Sequence, residues 1–560
     1  MHPGDRYPGG PELTQTRDAV PPADPALPAD PGQPTDPRPR RDARRWWAAA
    51  AWAAGGLALF AFFLRISLGS RIDSDGANNA LQAWDLLHGH VLLHGWVIGD
   101  ATFYFLELPL LGIAELLFGM GTLALHVASA LTYLIVAVLA AALAVTGSRG
   151  PARPARCAVV VAVLAAPLLT PYVTLLLLEE PDHIGTCAFL LASVLLIDRV
   201  PGRRFTAPML CTILCAGQLS DMTVRYVAVP AIVLVCAYRA LATRRLRSAE
   251  AALAVAAAAS APLESLLRVA MVHLGAYVMV APAVALAPVR LWPQHAAVAW
   301  LNVRTLFGVV TTSGTGPGGV GAAFGLICLL LAMAGLMRVA WTWRTARPAE
   351  QLLGVAIVLN IAVYVVSVIA TPHHAREIVA VLPCGAVLAA RACVPARIVP
   401  RRMAGARLTI TATALTATAL TATVLTATGL AALVPLSVAA TQPPLAPAAA
   451  PLAGWLEAHG LTYGLAGYWD ASVLTVQSGG RVKVRAVDLA GNRKAFIPGW
   501  EANARWYNPA RYDATFIVAD RQGSDSSAAF EQRFGRPAAT YHVAGWLVLS
   551  YQANLLQQLA

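Results

Sequence analysis

Long apolar runs separated by short polar loops set the plan of this chain. The first run, Ala48 to Leu64, follows the basic block RPRRDARRWW. About 20 residues cross a bilayer as a helix. A cleaved signal would begin near residue 1 and end in small residues, so this run reads as an uncleaved first span. Similar runs recur to about residue 440. Alternate loops carry arginine: 148–156, 198–204, 238–247, 338–347 and 391–407. The intervening ones (66–120, 179–183, 220–226, 283–318 and 371–377) carry the acids and histidines. Basic loops stay cytoplasmic, so the alternation predicts a cytoplasmic N-terminus and about 11 spans. That count requires FYFLELPLLGIAELLFG (103–119) to lie on the outer surface. Glu107 and Glu115 favour this, because an ionised carboxylate at the bilayer centre costs several kcal/mol.

Both ends of the chain break the pattern. Residues 1–45 are rich in Pro and Arg without apolar periodicity, and are expected to form a disordered cytoplasmic tail. The transmembrane part is expected to run over 46–440, with 66–120 as its first outer loop. Its last span holds the repeat TATAL, TATAL, TATVL, TATGL (411–430). Five residues advance a helix by about 500°, so the leucines form no fixed seam and the repeat implies no function. After Gln442-Pro443-Pro444 the alternation becomes period two in RVKVRAV (481–487), DATFIVAD (513–520) and AGWLVLSY (544–551), which read as strands. AHGLTYGLAGYWDASVLTVQSGG reads as a strand, a Gly-rich turn and a helix. A small α/β domain over 441–560 follows, and an odd number of spans places it outside. Its GLAG is too weak a pattern for a dinucleotide site.

Composition agrees with a polytopic membrane protein. Of 560 residues, 57% are hydrophobic and 13% charged, against roughly 25% charged in soluble domains. The formal charge is +12, nearly all of it from arginine, with Lys483 and Lys494 as the only lysines. Those arginines sit between spans, so no nucleic-acid partner is expected. Such an Ala/Arg/Pro-rich, Lys-poor composition is typical of a high-GC bacterial genome. Each of the 8 cysteines lies in or beside an apolar run, which excludes a disulfide framework in the C-terminal part. Cys211 and Cys215, at i,i+4, read as small buried apolar residues.

Candidate chemistry concentrates after the first span. From Ala77, the residues Ala80, Leu81, Trp84, Leu87 and Val91 recur at helical spacing, with Asn78, Asn79, Gln82 and Asp85 opposite. This predicts an amphipathic helix in the outer interface. Asp73 and Asp75 precede it. Asp75 reads either as the helix N-cap or as a general base beside the hydrocarbon, and a cap would fix the base's position.

The order Asp75, Ala80, Leu86-Leu87, Gly89, Tyr104-Phe105, Glu107, Pro109-Leu110, then Phe118-Gly119 and Ser129-Ala130-Leu131, resembles the GT-C superfamily of membrane glycosyltransferases. The branch is that of the protein O-mannosyltransferases and lipid A aminoarabinose transferases, and the likeness covers residues 46 to about 200. It implies a GT-C-like membrane fold and inverting transfer of a sugar from a polyprenyl-phosphate donor to an acceptor hydroxyl outside the cytoplasm. It places Asp75 at the catalytic-base position, with Asp73 as neighbour or alternative, and Tyr104 and Glu107 along the substrates. The family often has a basic residue before its Pro-Leu pair, and Leu108 stands there instead. Arg376, Arg290 or Arg304 could hold the donor phosphate in its place, since a guanidinium binds phosphate bidentately. His373 and His374, beside Arg376, join that group.

The second outer loop puts Glu179, Glu180, Asp182 and His183 at a membrane surface. Family members carry an acidic site there, near the metal or the acceptor, and carboxylates from two loops can hold Mg²⁺ or Mn²⁺. Short surface turns are also often acidic without function. His88, His90 and His94 lack a fixed zinc scaffold and read as interfacial contacts. Trp292, His295, Trp300 and Arg304 fit an aromatic belt or a lipid-phosphate site. Asp221 and Arg225, at i,i+4, are expected to pair locally. The reading is a cell-membrane glycosyltransferase with a cell-envelope glycan, lipid or protein acceptor. Its rivals are a transporter or flippase, with ionisable groups at the midplane and paired repeats, and a non-catalytic scaffold.

Overall fold

The computed structural model describes residues 38–99, 101–178, 183–200, 202–245, 247–280, 285–309, 319–372, 374–396, 430, 433–434, 436–489, 495–496, 499–519 and 527–559. The predicted Pro-rich tail before residue 38 and the 411–430 repeat, save Leu430, lie outside them. Two compact units are present, residues 1–55 and 56–560. In the first, the described residues are helical; the second holds the rest of that helix, the other helices with the loops between them, and the C-terminal sheet.

Helix α1 is Arg38–Ser67, α2 Ser74–Leu87, α3 Glu107–Phe118, α4 Thr122–Ala144, α5 Ala152–Ala165, α6 Pro171–Leu178 and α7 Thr186–Arg199. There follow α8 Thr206–Ser220, α9 Val229–Ala242, α10 Ala249–His273, α11 Trp292–Leu306, α12 Gly319–Trp341, α13 Pro348–Val366 and α14 Val381–Cys393. Among the described residues, 7 helices are long and apolar enough to cross a membrane. The protein is a multi-pass membrane protein. Its main core is built almost wholly of Ala, Val, Leu and Ile from these helices. Small residues let the helices approach closely: a Cβ on Gly335 of α12 would lie 2.6 Å from the backbone of Leu388 in α14.

The basic loops meet at one end of the bundle. Arg391 lies 3.6 Å from Asp198 and 3.7 Å from Glu350, while Arg347 lies 3.5 Å from Asp198. The Arg149 amide donates to Ala396 O at 3.1 Å, and Arg347 donates to Thr146 O at 3.0 Å. The loops that alternation assigned to one side thus lie together.

Helix α3 is 12 residues long, about 18 Å at 1.5 Å per residue, against a hydrocarbon core of ~30 Å. It packs on α2 and α4. Its Ile113, Leu116, Leu117 and Phe118 are exposed, while Glu107 and Glu115 are buried. Neither Glu115 carboxylate oxygen is hydrogen-bonded among the described residues. Burial pushes its pKa up from 4.5 to about 9. The folded chain therefore holds a proton that the unfolded chain releases, and Glu115 lowers stability progressively as pH rises from 4.5 to 9. Glu115→Gln is expected to raise the melting temperature in detergent across that window and to change nothing below it. A pH-independent difference in thermal unfolding would contradict this.

The C-terminal segment contains α15 (Ala450–Ala458), β3 (Tyr463–Ala466), α16 (Tyr468–Gln477), β4 (Lys483–Ala486), β8 (Phe516–Ala519), α17 (Ser527–Phe534), β9 (Ala539–Val543) and β10 (Trp546–Ser550). The period-two runs become β4, β8 and β10, and the strand-turn-helix reading becomes β3–Gly467–α16. The sheet order is β4-β3-β8-β10-β9, with β3 parallel to β4 and β8, and β10 antiparallel to β8 and β9. Apolar side chains cover both faces. Short strands β5 (Asp488–Leu489) and β6 (Ala495–Phe496) pair beside it. A second small sheet ties distant loops together. Its β1 (Trp96–Ile98), between α2 and α3, pairs parallel with β2 (Val278–Met279) and antiparallel with β7 (Ala502–Asn503).

Candidate functional site

The start of α2 is fixed by Asp73, whose carboxylate accepts from the Gly76 amide at 3.0 Å. Asp73 is the N-cap, and Asp75 lies in the first turn. This corrects the capping assignment of Asp75 and separates the two aspartates. Asp73 is taken up in capping the start of the helix. One Asp75 oxygen, Oδ1, accepts from the Tyr468 hydroxyl, and Oδ2 lies 3.7 Å from Arg376 Nη1. Burial, and then the Asp75 carboxylate beside it, raise the Tyr468 pKa far above its ordinary value, so the phenol stays a donor.

Helix α2 does not show its polar face to water. Asn78, Asn79 and Gln82 are buried, because the C-terminal segment packs over them. Ser472 donates to Asn78 Oδ1 at 2.6 Å, and Ser74 donates to Tyr468 O at 2.6 Å. Glu501 accepts from Gln82 Nε2 and from the Gly99 amide, both at 2.9 Å. The expectation of an interfacial helix with a solvated face gives way to a helix held between α3 and α16.

Asp75 and Arg376 line a cavity of about 410 Å³. His183, Asp221, His374 and Glu377 also line it, and Tyr226, Val363 and Ile369 give it an apolar flank. Trp500 and Glu501 close one side, with the Trp500 ring stacked on Tyr468 at 5.2 Å and 12°. His183 bridges two acids: Nδ1 lies 2.6 Å from Asp221 Oδ2, and Nε2 lies 3.6 Å from Glu377 Oε1. Asp221 also accepts from the Thr186 hydroxyl and, at 2.7 Å, from the Thr223 amide. Burial works to raise the Asp221 pKa, but the His183 charge and these hydrogen bonds outweigh it and hold the carboxyl below its usual range.

The expected local pair of Asp221 with Arg225 is not formed. Asp221 ends α8 in an extended conformation, and Arg225 falls in a π-helical turn, Val224–Ala228, which breaks the i,i+4 register. Arg225 instead lies 3.1 Å from Glu264.

The cavity brings together Asp75, His183 and the pair His374 and Arg376 from three separate stretches of sequence. Glu179, Glu180, Asp182 and His373 lie outside the described residues. Arg290 and Arg304 are absent from the described lining, and Arg376 is its only Arg or Lys. Tyr104 and Glu107 are not part of it either. The Tyr104 hydroxyl donates to Val91 O. Glu107 packs against Gly185, where a Cβ would sit 1.7 Å from its carboxylate oxygen, so a larger residue there would displace the Glu107 side chain. Gly185 begins α7, and a carboxylate is stabilised at a helix N-terminus. His88, His90 and His94 contact Trp84 O, Asp85 and Gly275 O respectively. Among the described residues, no three His, Cys, Asp or Glu side chains are placed to hold a metal ion.

Tyr468, Trp500 and Glu501 escaped the sequence reading altogether, while Asp221 was read only as a local ion pair and Glu377 only as a neighbour of Arg376. Glu377 adjoins Arg376 in the same turn. Tyr468 had a usable signal, since it follows a parallel strand, and ligands gather beyond the carboxyl ends of such strands.

The sequence matches no known family model and no curated protein. The fold does have solved counterparts. ArnT from Cupriavidus metallidurans in the apo state superposes with a TM-score of 0.51 at 13% identity, covering 92% of this chain and 99% of that one. The same protein bound to undecaprenyl phosphate gives a TM-score of 0.52 at 13% identity, covering 91% and 99%. ArnT is a GT-C superfamily protein. This chain therefore has the fold of ArnT, in keeping with the GT-C-like membrane fold that the first-loop resemblance implied.

Proposed function

We propose that the protein is a glycosyltransferase that moves a sugar from a polyprenyl-phosphate donor to an acceptor hydroxyl at the outer membrane face. The observation that carries this reading is the placement of Asp75 Oδ2 3.7 Å from Arg376, beside an apolar flank within one cavity. A carboxylate and a guanidinium at the edge of hydrocarbon are the two charges such a transfer requires. The undecaprenyl phosphate of the ArnT structure with the same fold supports the donor class.

In the proposed step, the acceptor oxygen attacks the anomeric carbon and Asp75 takes its proton. The bond from that carbon to the phosphate oxygen breaks as the new bond forms on the opposite face, which inverts the configuration. The electron pair leaves with the lipid phosphate, and Arg376 holds the charge that develops there. His374 adds a second donor, and Tyr468 orients the base. Glu179, Glu180 and Asp182, with His183, are assigned to the acceptor or to Mg²⁺ or Mn²⁺, both oxygen-binding cations. The reading keeps about 11 crossings, of which the seven long apolar helices among the described residues supply most. The N-terminus is then cytoplasmic and the C-terminal α/β part external.

The test is reconstitution in proteoliposomes with polyprenyl-phosphate sugars and a cell-envelope acceptor extract. The expected result is sugar transfer, with the product linkage of opposite anomeric configuration to the donor. Movement of the intact lipid-linked sugar across the bilayer without transfer would establish the flippase reading instead.

A further inference from the structure

A second hollow, of about 190 Å³, lies where the loop Ser70–Ile72 meets α16, β10 and the connector Leu445–Ala449. Two indoles frame it: Trp469, in the first turn of α16, and Trp546, in β10. Trp469 is 61% exposed. Single exposed apolar residues are ordinary. Two indoles at one concave site, with polar side chains converging on it, have the make-up of a ligand site.

The polar side chains are those of Ser70, Arg71, Thr122, Asp470 and Gln477. Gln477 Oε1 accepts from the Ala449 amide at 2.8 Å, which fixes the plane of its carboxamide. The hollow holds one cation and one anion, so an anionic headgroup drawn by Arg71 would also face the Asp470 carboxylate. A neutral sugar ring suits it better. The C–H face of the ring lies on an indole, and its hydroxyls exchange hydrogen bonds with planar carboxylate, amide and guanidinium groups.

Position supplies the link to the first cavity. Trp469 directly follows Tyr468, which donates to Asp75, and Arg71 stands four residues before Asp75. Both segments that hold the proposed base continue into this hollow. We propose that it binds a neutral sugar unit of a glycan chain. Resting on the transferase reading above, that chain is the acceptor, held away from its reacting hydroxyl.

The full-length protein in detergent would be titrated with neutral hexose and pentose oligosaccharides, and with glycerol phosphate as the anionic headgroup probe. Tryptophan fluorescence and saturation-transfer NMR report binding. At least one neutral oligosaccharide is expected to bind. Trp469→Ala is expected to weaken it about tenfold, equivalent to ~1.4 kcal/mol, and Trp469→Tyr to keep most of the affinity. Because Trp469 is exposed, its replacement leaves the sheet core intact. Absence of binding across the panel, unchanged affinity in Trp469→Ala, or binding of glycerol phosphate in place of the sugars would overturn the proposal. Binding that disappears with Trp469, in a protein that transfers no sugar, would leave this site standing and overturn only the transferase reading.

Discussion

Asp75→Asn is expected to lower the rate of sugar transfer in proteoliposomes by roughly 10²–10⁴-fold, the usual contribution of a positioned general base. The substitution is unusually clean. Asp73, not Asp75, caps α2, so the helix start survives. The Asn carbonyl can still accept from Tyr468, which preserves the hydrogen bond that fixes the side chain. What is lost is the ability to take a proton. Expression and thermal unfolding of the variant should therefore match the parent, and the donor KM should change little while kcat collapses. Transfer at the parental rate would end the assignment of Asp75 as the base.

Arg376→Gln is the second large effect, and it should fall on the other parameter. The guanidinium lines the cavity beside Asp75 and is the only Arg or Lys in its described lining. Hydrogen bonds to charged groups contribute about 1.5–3 kcal/mol, or roughly 10- to 150-fold in affinity. The donor KM is expected to rise by that factor, with a further loss in kcat where phosphate charge develops. Arg376→Lys should recover part of the binding, because charge persists but the bidentate geometry does not. Wild-type donor kinetics in Arg376→Gln would move the phosphate site elsewhere, Arg290 and Arg304 being the other cations the sequence offered.

The membrane frame was legible because it follows from patterns local to the sequence. Apolar length and arginine alternation placed the loops at two ends, and the basic loops do cluster around Asp198. The acids of the 103–119 run marked it for the membrane surface, and it folds as a helix of only 12 residues, α3. The strands of the C-terminal part declared themselves by period two. Partnership over long distance was not legible. The periodicity of α2 showed which face was polar but not that α16, some 390 residues onward, would cover it. Asp221 and Arg225 had the right spacing for a pair only if the chain stayed α-helical between them, and the π-helical turn removed that condition. Trp500 and Glu501 lie in a stretch with no regular pattern, so nothing in the sequence pointed them at the cavity.

The three-stranded ribbon β2-β1-β7 has a consequence for how the protein is made. Its last strand, Ala502–Asn503, is among the final sixty residues of the chain. Until the ribosome has delivered it, the first outer loop lacks the strand against which it registers, and Gln82 lacks its carboxylate partner. The cavity beside Asp75 thus gains its Trp500 and Glu501 wall only after some five hundred residues have been made. On the transferase reading proposed above, a half-built chain already threaded through the bilayer has no enclosed compartment in which an activated sugar could be lost to water.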